Sequence, residues 1–244
     1  MCEKNQQLIG HLEELRNRII ITLVSFIGFL IAGFIFVKPI YEWLIRGLDT
    51  QLAVLGPSEI LWVYLMLAAV FSMTATIPVA AFQLWRFVTP ALSREERKVT
   101  LRFIPAMFFL FLFGLAFGYF LLFPLVLGFL TSLSEGQFEM MFTADKYFRF
   151  MLNMTLPFGL LFEMPLVVLF LTRLGILNPI RLRKARKFAY FVMVVISVLI
   201  TPPDFLSDIL VLLPLLTLYE ISISLSSFVY KKRLAAESSS QSAA

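Results

Sequence analysis

The sequence predicts an all-α integral membrane protein with six transmembrane helices. Hydrophobic residues make up 59% of the 244 residues, and the mean hydropathy is +0.87. The apolar residues form long unbroken runs, as membrane helices require, and not the short alternating segments of a membrane β-barrel. Basic residues lie between these runs, so the formal net charge of +5 indicates topology and not nucleic-acid binding.

Six apolar runs define the predicted membrane domain, residues 19–228. The fifth has about 14 residues and would extend roughly 21 Å as a helix, short of a hydrocarbon core of about 30 Å. Pro202, Pro203 and Asp204 separate it from the sixth, so the last two helices are predicted to be short. The spans are placed at about residues 19–37, 60–82, 103–130, 147–171, 188–201 and 205–225. An amphipathic segment over 1–18 and a disordered tail over 229–244 flank them.

Charge distribution predicts the orientation. Of the 21 Lys and Arg residues, 17 lie in segments 1–18, 83–102, 172–187 and 228–244. The positive-inside rule places these segments, and therefore both termini, in the cytoplasm. An even number of spans agrees with that placement.

The sequence lacks the residue patterns of common catalytic sites. Cys2 and His11 are the single residues of their types, so an intramolecular disulfide is impossible and a Cys/His metal site is disfavoured. No serine in a span has a histidine partner, and no phosphate-binding glycine loop is present. We therefore predict no enzyme, no metal and no cofactor.

Glu163 is a carboxylate within the fourth apolar run, between Pro157 and Pro165. An ionisable group in a bilayer is costly unless it finds water or a partner, which makes it a candidate functional residue. The flanking prolines predict a kinked helix. Its alternative role is a neutral carboxyl group that is hydrogen-bonded inside a helical bundle.

Two further acids lie in segments predicted to be cytoplasmic. Glu14 precedes Arg18 by four residues, the spacing of a helical ion pair, and Glu96 follows Ser93 by three, as in a capping box. The functional alternative is a shared surface on which both carboxylates bind guanidinium groups, a bidentate geometry that lysine cannot reproduce. Trp85 and Phe87 fit the aromatic belt that is common at the interface of membrane proteins.

A third polar cluster is predicted where the last two spans meet. Thr201, Asp204 and Asp208 lie within eight residues of one another. Helix capping in a solvated turn accounts for them. Polar contacts to a partner helix in the membrane are the alternative.

Four motifs together resemble the TatC family. They are His11-Leu-x-Glu-Leu-Arg16, Phe87-x-x-Pro-Ala-Leu-x-x-x-Glu-Arg97, Phe158-Gly-x-x-Phe-Glu-x-Pro165 and Thr201-Pro-Pro-Asp204. TatC is the multispanning receptor subunit of the twin-arginine protein translocase, and the resemblance covers about residues 8–230. The chain looks most similar to TatC proteins of Bacillus-type bacteria.

The resemblance implies a bacterial cytoplasmic-membrane protein whose six helices form a concave bundle. It implies binding of Arg-Arg signal peptides of folded precursors, with recruitment of single-span subunits of the TatA/TatB type and export driven by the proton-motive force. Homo-oligomers within the complex are also expected. The implied signal-peptide residues are Glu14, Glu96, Arg16 and Phe87, with Glu163 facing the concavity. The implied partner contacts are Thr201 and Asp208, beside Asp204, although Asp208 stands where the proteobacterial pattern has glutamine.

Two other functions stay open at this point. Glu163 would be the proton carrier of a proton-coupled small-molecule transporter, although no repeat or second intramembrane acid accompanies it. A purely structural scaffold would depend on none of the carboxylates individually. Within the receptor hypothesis, we expect Glu163 to line a wet recess and offer a polar contact to a signal peptide or a single-span subunit.

Overall fold

The computed structural model describes residues 2–46, 52–91, 97, 100–134, 141–201 and 204–241, and almost all of them are helical. The chain divides into two compact units. The first comprises Met1–Phe109 and Met141–Arg149, and the second comprises Leu110–Met140 and Phe150–Ala244. Each is described separately below.

The first unit is built on two long helices. Helix α1 is Cys2–Ile35, α2 is Val37–Ile45, and α3 is Pro57–Val88, which ends in a 3₁₀ turn at Thr89–Ala91. Helices α1 and α3 pack closely because small residues lie at their contact. A Cβ atom on Gly33 would lie 3.0 Å from the Ala68 carbonyl oxygen, and the Ser72 hydroxyl donates to the Phe26 carbonyl at 2.6 Å.

A short bridge holds the connection between α2 and α3. Ala53 forms an isolated parallel bridge with Thr143, in which its amide donates to the Phe142 carbonyl and its carbonyl accepts from the Ala144 amide, both at 2.9 Å. Nearby, the Tyr41 ring packs against the Phe148 ring at 5.4 Å. Helix α2 lies between the first two predicted spans, where no helix was predicted from the sequence.

The second unit contains the remaining helices. Two of them, Phe103–Phe117 and Ala144–Phe162, begin in the first unit and continue into the second. Helix α4 is Phe103–Phe117, followed by a π-helical turn at Gly118–Leu122 and α5 at Phe123–Ser134. Helix α6 is Ala144–Phe162, and α7 is Met164–Arg173. Helix α8 is Pro179–Lys184, α9 is Arg186–Ile200, and α10 is Phe205–Gln241. Helix α10 packs against α7, α8 and α9.

Glycines allow α4 and α6 to meet at backbone distance. A Cβ atom on Gly114 would lie 2.5 Å from the Phe158 carbonyl oxygen, and one on Gly118 would lie 2.7 Å from the Cα of Thr155. From the other side, a Cβ on Gly159 would lie 2.8 Å from the Phe111 ring. Close approach through small residues is how membrane helices gain packing contacts without help from the hydrophobic effect.

Within the part of the chain that the structure describes, five helical segments are long and apolar enough to cross a membrane: Leu12–Ile35, Pro57–Val88, Phe103–Leu133, Ala144–Arg173 and Phe205–Lys231. They contain the second, third, fourth and sixth predicted spans and all of the first except its last two residues. The fifth predicted span corresponds to α9, whose 15 residues fall short of spanning length. A multispanning helical membrane protein is confirmed, while the six-span count and the concave bundle stay predictions.

The helix bounds differ from the predicted segment boundaries at two places. The amphipathic segment and the first span form one continuous helix, α1. The last helix is also not short, because α10 has 37 residues and extends through most of the predicted disordered tail. From Leu215 to Gln241 the sequence has no glycine or proline to end a helix, and its alanine, leucine and lysine residues favour helix continuation.

Candidate functional site

Glu14 lies on α1 and is held by a charge-assisted contact from Arg18, one turn later. Another guanidinium nitrogen of Arg18 donates to the Gln83 carbonyl on α3 at 3.1 Å. The Arg18 side chain is 11% exposed and that of Glu14 is 38% exposed, so the cation is mostly buried while the carboxylate still reaches solvent. The ion pair that the sequence offered as one role of Glu14 is therefore present.

Arg16 lies on a more exposed part of α1. Its guanidinium is 3.4 Å from the Glu13 carboxylate, and both side chains are more than 60% exposed. An exposed pair of this kind contributes little to stability because water screens it. The structure therefore gives Arg16 no fixed position beside Glu14.

An apolar groove of about 390 Å³ runs between α1 and α3 from the Arg18–Glu14 pair. Arg18 and Gln83 lie at its polar end, and Phe87 borders it there. The remaining lining residues are mostly apolar: Leu15, Ile19, Thr22, Leu23, Phe26, Thr76, Ala80 and Leu84. A groove of this size suits an apolar ligand segment with a few polar groups at one end.

Glu96, the second predicted carboxylate, lies outside the described residues, as does its capping partner Ser93. Nearby, the Arg97 guanidinium donates to the Thr89 carbonyl at 3.1 Å. Whether Glu96 joins Glu14 on one surface therefore stays a prediction.

Glu163 occupies the single residue between α6 and α7. The helix is interrupted next to Pro165, because α7 begins with Met164 and Pro165. Pro157, by contrast, lies inside α6 and does not end it. The Glu163 side chain belongs to a residue that is 8% exposed, and the Phe111 backbone faces its carboxylate. Neither carboxylate oxygen accepts a hydrogen bond of ordinary geometry from the residues that the structure describes.

The structure brings Thr201, Asp204 and Asp208 together at the α9–α10 junction. The Thr201 hydroxyl donates to the Asp208 carboxylate, and the Asp204 carboxylate accepts from the Ser207 amide at 2.7 Å. The Ser207 contact is the capping role that the sequence suggested. Pro202 and Pro203, between them, lie outside the described residues.

A hydrogen-bond network that no sequence pattern predicts fixes Glu220. Its carboxylate accepts from Arg186 at 2.7 Å and from the Tyr190 hydroxyl at 2.6 Å. The residues are 34 and 30 positions apart, so no local spacing signals the contact. As for metals, the described residues contain no cluster of three His, Cys, Asp or Glu side chains that would hold an ion.

These features define a multispanning α-helical membrane protein with an apolar groove that ends at a carboxylate–guanidinium pair. The family model described as Sec-independent protein translocase protein (TatC) matches residues 10–214. The chain belongs to the TatC family.

The similarity to individual members of the family extends over nearly the whole chain. The chain is 68% identical to the Sec-independent protein translocase protein TatCd of Bacillus subtilis (strain 168), covering 97% of this chain and 98% of that protein. Identity to TatCy of the same strain is 44%, over 95% of this chain and 93% of that protein. The crystal structure of the twin-arginine translocase receptor TatC superposes with a TM-score of 0.79 at 33% identity, covering 90% of this chain and 99% of the other. This chain is thus a multi-pass component of a Sec-independent translocase in a bacterial membrane.

Proposed function

We propose that this chain is the receptor that binds Arg-Arg signal peptides of folded precursor proteins. A signal peptide has a cationic segment followed by an apolar one. The observation that carries the proposal is the matching order in the first unit, where the half-exposed Glu14 carboxylate is followed by the apolar groove. The signal arginines then bind Glu14 and Glu96, and the apolar segment enters the groove past Phe87.

Arg18 orients Glu14 through a contact with one carboxylate oxygen. This contact neutralises the local charge, so two incoming guanidinium groups need a further acid. Glu96 supplies that charge in the proposal.

Signal-peptide binding to the purified full chain in nanodiscs tests this function. An Arg-Arg peptide is expected to bind at least about tenfold more tightly than its Lys-Lys counterpart, since bidentate pairing is lost with lysine. Glu14→Gln with Glu96→Gln is expected to remove that difference. Glu13→Gln is the matched control, because it removes a neighbouring exposed acid and is expected to keep the preference. Equal binding of both peptides by the unmodified chain would refute the paired-carboxylate site.

Partner recruitment is proposed at the Thr201–Asp208 pair. In the membrane, a polar pair that is satisfied internally can exchange its hydrogen bond for one with a polar residue of a neighbouring helix. Thr201→Val with Asp208→Leu is therefore expected to reduce co-purification of TatA/TatB-type subunits. Signal-peptide binding at the groove is expected to stay unchanged in the same variant.

The proposed topology places both termini in the cytoplasm, on the side of the signal-binding acids. The excess of Lys and Arg in segments 1–18 and 228–244 supports it. Accessibility of Cys2 to a membrane-impermeant thiol reagent tests the amino terminus. Labelling only after the cytoplasmic side is opened is the expected result.

A second candidate function rests on the buried Glu163 carboxylate, which is an arrangement found in proton-coupled transporters. The signal-binding acids have no role in that function. Proton-driven uptake of a small substrate by liposomes that contain only this chain, abolished by Glu163→Gln, would favour it over the receptor.

A further inference from the structure

The segment that follows the membrane span Ala144–Arg173 is basic and has no acid. It carries five cations, Arg181, Arg183, Lys184, Arg186 and Lys187. No Asp or Glu occurs between Glu163 and Asp204 in the sequence. Because α7 ends at Arg173 and α9 begins at Arg186, this segment connects the fourth predicted span to the fifth.

Only one of these five cations is neutralised by a described side chain. Arg186 pairs with Glu220 at 2.7 Å. The other four are exposed and make no ion pair with the side chains that the structure describes: Arg181, Arg183, Lys184 and Lys187. A positive charge of about four is therefore concentrated on a seven-residue stretch.

Hydrogen bonds anchor this basic segment on α10. The Asn178 side chain caps α8 by accepting from the Ile180 amide at 2.9 Å and reaches the Tyr230 hydroxyl at 3.4 Å. The Tyr219 hydroxyl donates to the Leu182 carbonyl at 2.8 Å. Basic residues that only set the orientation of a protein in the membrane do not need such hydrogen bonds. A binding site gains affinity from them, because a segment that is already ordered loses less conformational entropy on binding.

Exposed apolar side chains flank the cations on both sides in the sequence. Ile176, Ile180 and Phe188 are 58%, 57% and 72% exposed. A cluster of cations with exposed apolar side chains on either side is typical of a segment at the membrane interface, where the apolar groups enter the acyl region and the cations reach the phosphates. A soluble acidic partner would leave these apolar groups in water.

We propose that the segment 176–188, held on α10 by Tyr219 and Tyr230, is a binding site for the headgroups of anionic phospholipids. Arg181, Arg183, Lys184 and Lys187 bind the phosphodiester and the additional negative charge of the headgroup. The site stabilises the α7–α9 connection at the bilayer surface and gives this chain a preference for anionic lipid. It is separate from the Glu14 groove and does not depend on the receptor function.

Competition binding in detergent micelles tests the site. The full chain is incubated with fluorescent phosphatidylglycerol, which is then displaced by unlabelled phosphatidylglycerol or phosphatidylcholine. Unlabelled phosphatidylglycerol is expected to compete at least about tenfold better. Each cation near an anionic surface contributes about a fivefold factor, so the fourfold Gln variant at Arg181, Arg183, Lys184 and Lys187 is expected to lose this preference. The double variant Arg181→Gln with Arg183→Gln is expected to lose part of the preference for phosphatidylglycerol. It replaces the fourfold variant in this test if the fourfold variant does not fold.

The matched control removes four other exposed cations: Lys38, Arg46, Lys146 and Arg149. It has the same net charge as the fourfold variant and is expected to keep the preference. Equal loss in both variants, or no loss in either, would overturn the proposal. Displacement of the fluorescent lipid by millimolar inorganic phosphate as effectively as by phosphatidylglycerol would overturn it as well.

A second pair of variants tests the anchoring. Tyr219→Phe and Asn178→Ala leave every cation in place but remove the bonds that order the segment, and we expect the lipid preference to fall about threefold or more. An unchanged preference would overturn the ordered site. If the fourfold variant kept its lipid preference but lost binding of a folded precursor in phosphatidylcholine nanodiscs, the surface would be a protein-docking site and the proposal would be wrong.

Discussion

The guanidinium of Arg18 contacts the carboxylate of Glu14 one helical turn earlier on α1. The same guanidinium donates to the Gln83 carbonyl on α3, so the ion pair also links two helices. From the sequence, Glu14 has two alternative roles: a member of a structural ion pair, or a carboxylate that binds a ligand. In the structure the two roles are compatible, because the pair fixes Glu14 at the end of a groove while leaving it partly exposed.

Arg18→Gln is predicted to destabilise the α1–α3 pair. Hydrogen bonds to a mostly buried charged group contribute about 1.5–3 kcal/mol each at full strength, and the exposure of Glu14 reduces this, so we expect a loss of about 1–2 kcal/mol. Thermal unfolding of the purified chain, followed by tryptophan fluorescence, measures it. Arg16→Gln is the control, since its exposed pair with Glu13 predicts a change within about 0.5 kcal/mol. Equal shifts in both variants would show that the helix link has no stabilising role.

Ala80→Phe is predicted to fill the groove and weaken binding of the apolar part of a signal peptide about tenfold or more. The side chain of Ala80 borders the groove, and a phenyl ring there would take the space of a ligand side chain. Ala75→Phe, on the same helix but outside the groove lining, is the control and is expected to bind normally. Normal peptide binding by Ala80→Phe would place the apolar segment of the ligand elsewhere.

The helical segments could be predicted from the sequence because the signal for a membrane helix is local. A run of about 20 apolar residues is enough, and most residues of the predicted runs are helical in the structure. Helix ends were less predictable. Pro157 and Pro165 carry the same local signal, yet the helix is interrupted only next to Pro165, because packing along α6 tolerates Pro157 in the helix interior.

The candidate site was predictable only in part. Glu14 was found from its motif, and its partner Arg18 from helical spacing. The groove depends on which faces of α1 and α3 meet, and the Arg186–Glu220 pair joins residues far apart in sequence. Neither leaves a local pattern. Contacts between helices depend on tertiary packing. In a single sequence, no fixed spacing between residues signals them.

Gly114→Ala is predicted to destabilise the second unit by about 1–3 kcal/mol or more, because its Cβ would lie 2.5 Å from a backbone oxygen that cannot move aside. Gly128→Ala is the control. Gly128 lies inside α5 with nothing within 4 Å of a Cβ, so the change is expected to be neutral or to stabilise by about 0.5–1 kcal/mol. Thermal unfolding in the same detergent compares the two. A neutral Gly114→Ala would mean that α4 and α6 separate easily.

Glu163 gives the prediction that distinguishes a functional carboxylate from a structural one. A buried carboxylate whose oxygens accept no hydrogen bond of ordinary geometry from the described residues costs stability, so Glu163→Leu is expected to raise the unfolding temperature. If Glu163 offers a polar contact to a signal peptide or subunit, the same variant is expected to lose export of a folded Arg-Arg reporter. Glu163→Gln keeps a hydrogen-bonding group of the same shape and is expected to retain export.

Three outcomes separate the possible roles of this residue. Export by Glu163→Gln but not by Glu163→Leu indicates hydrogen bonding, whereas loss of export in both indicates that the charge or its proton is needed. A more stable Glu163→Leu chain that exports normally would show that the carboxylate has no role in transport. Stability and export must be measured on the same preparations, because a functional residue that opposes stability changes the two quantities in opposite directions.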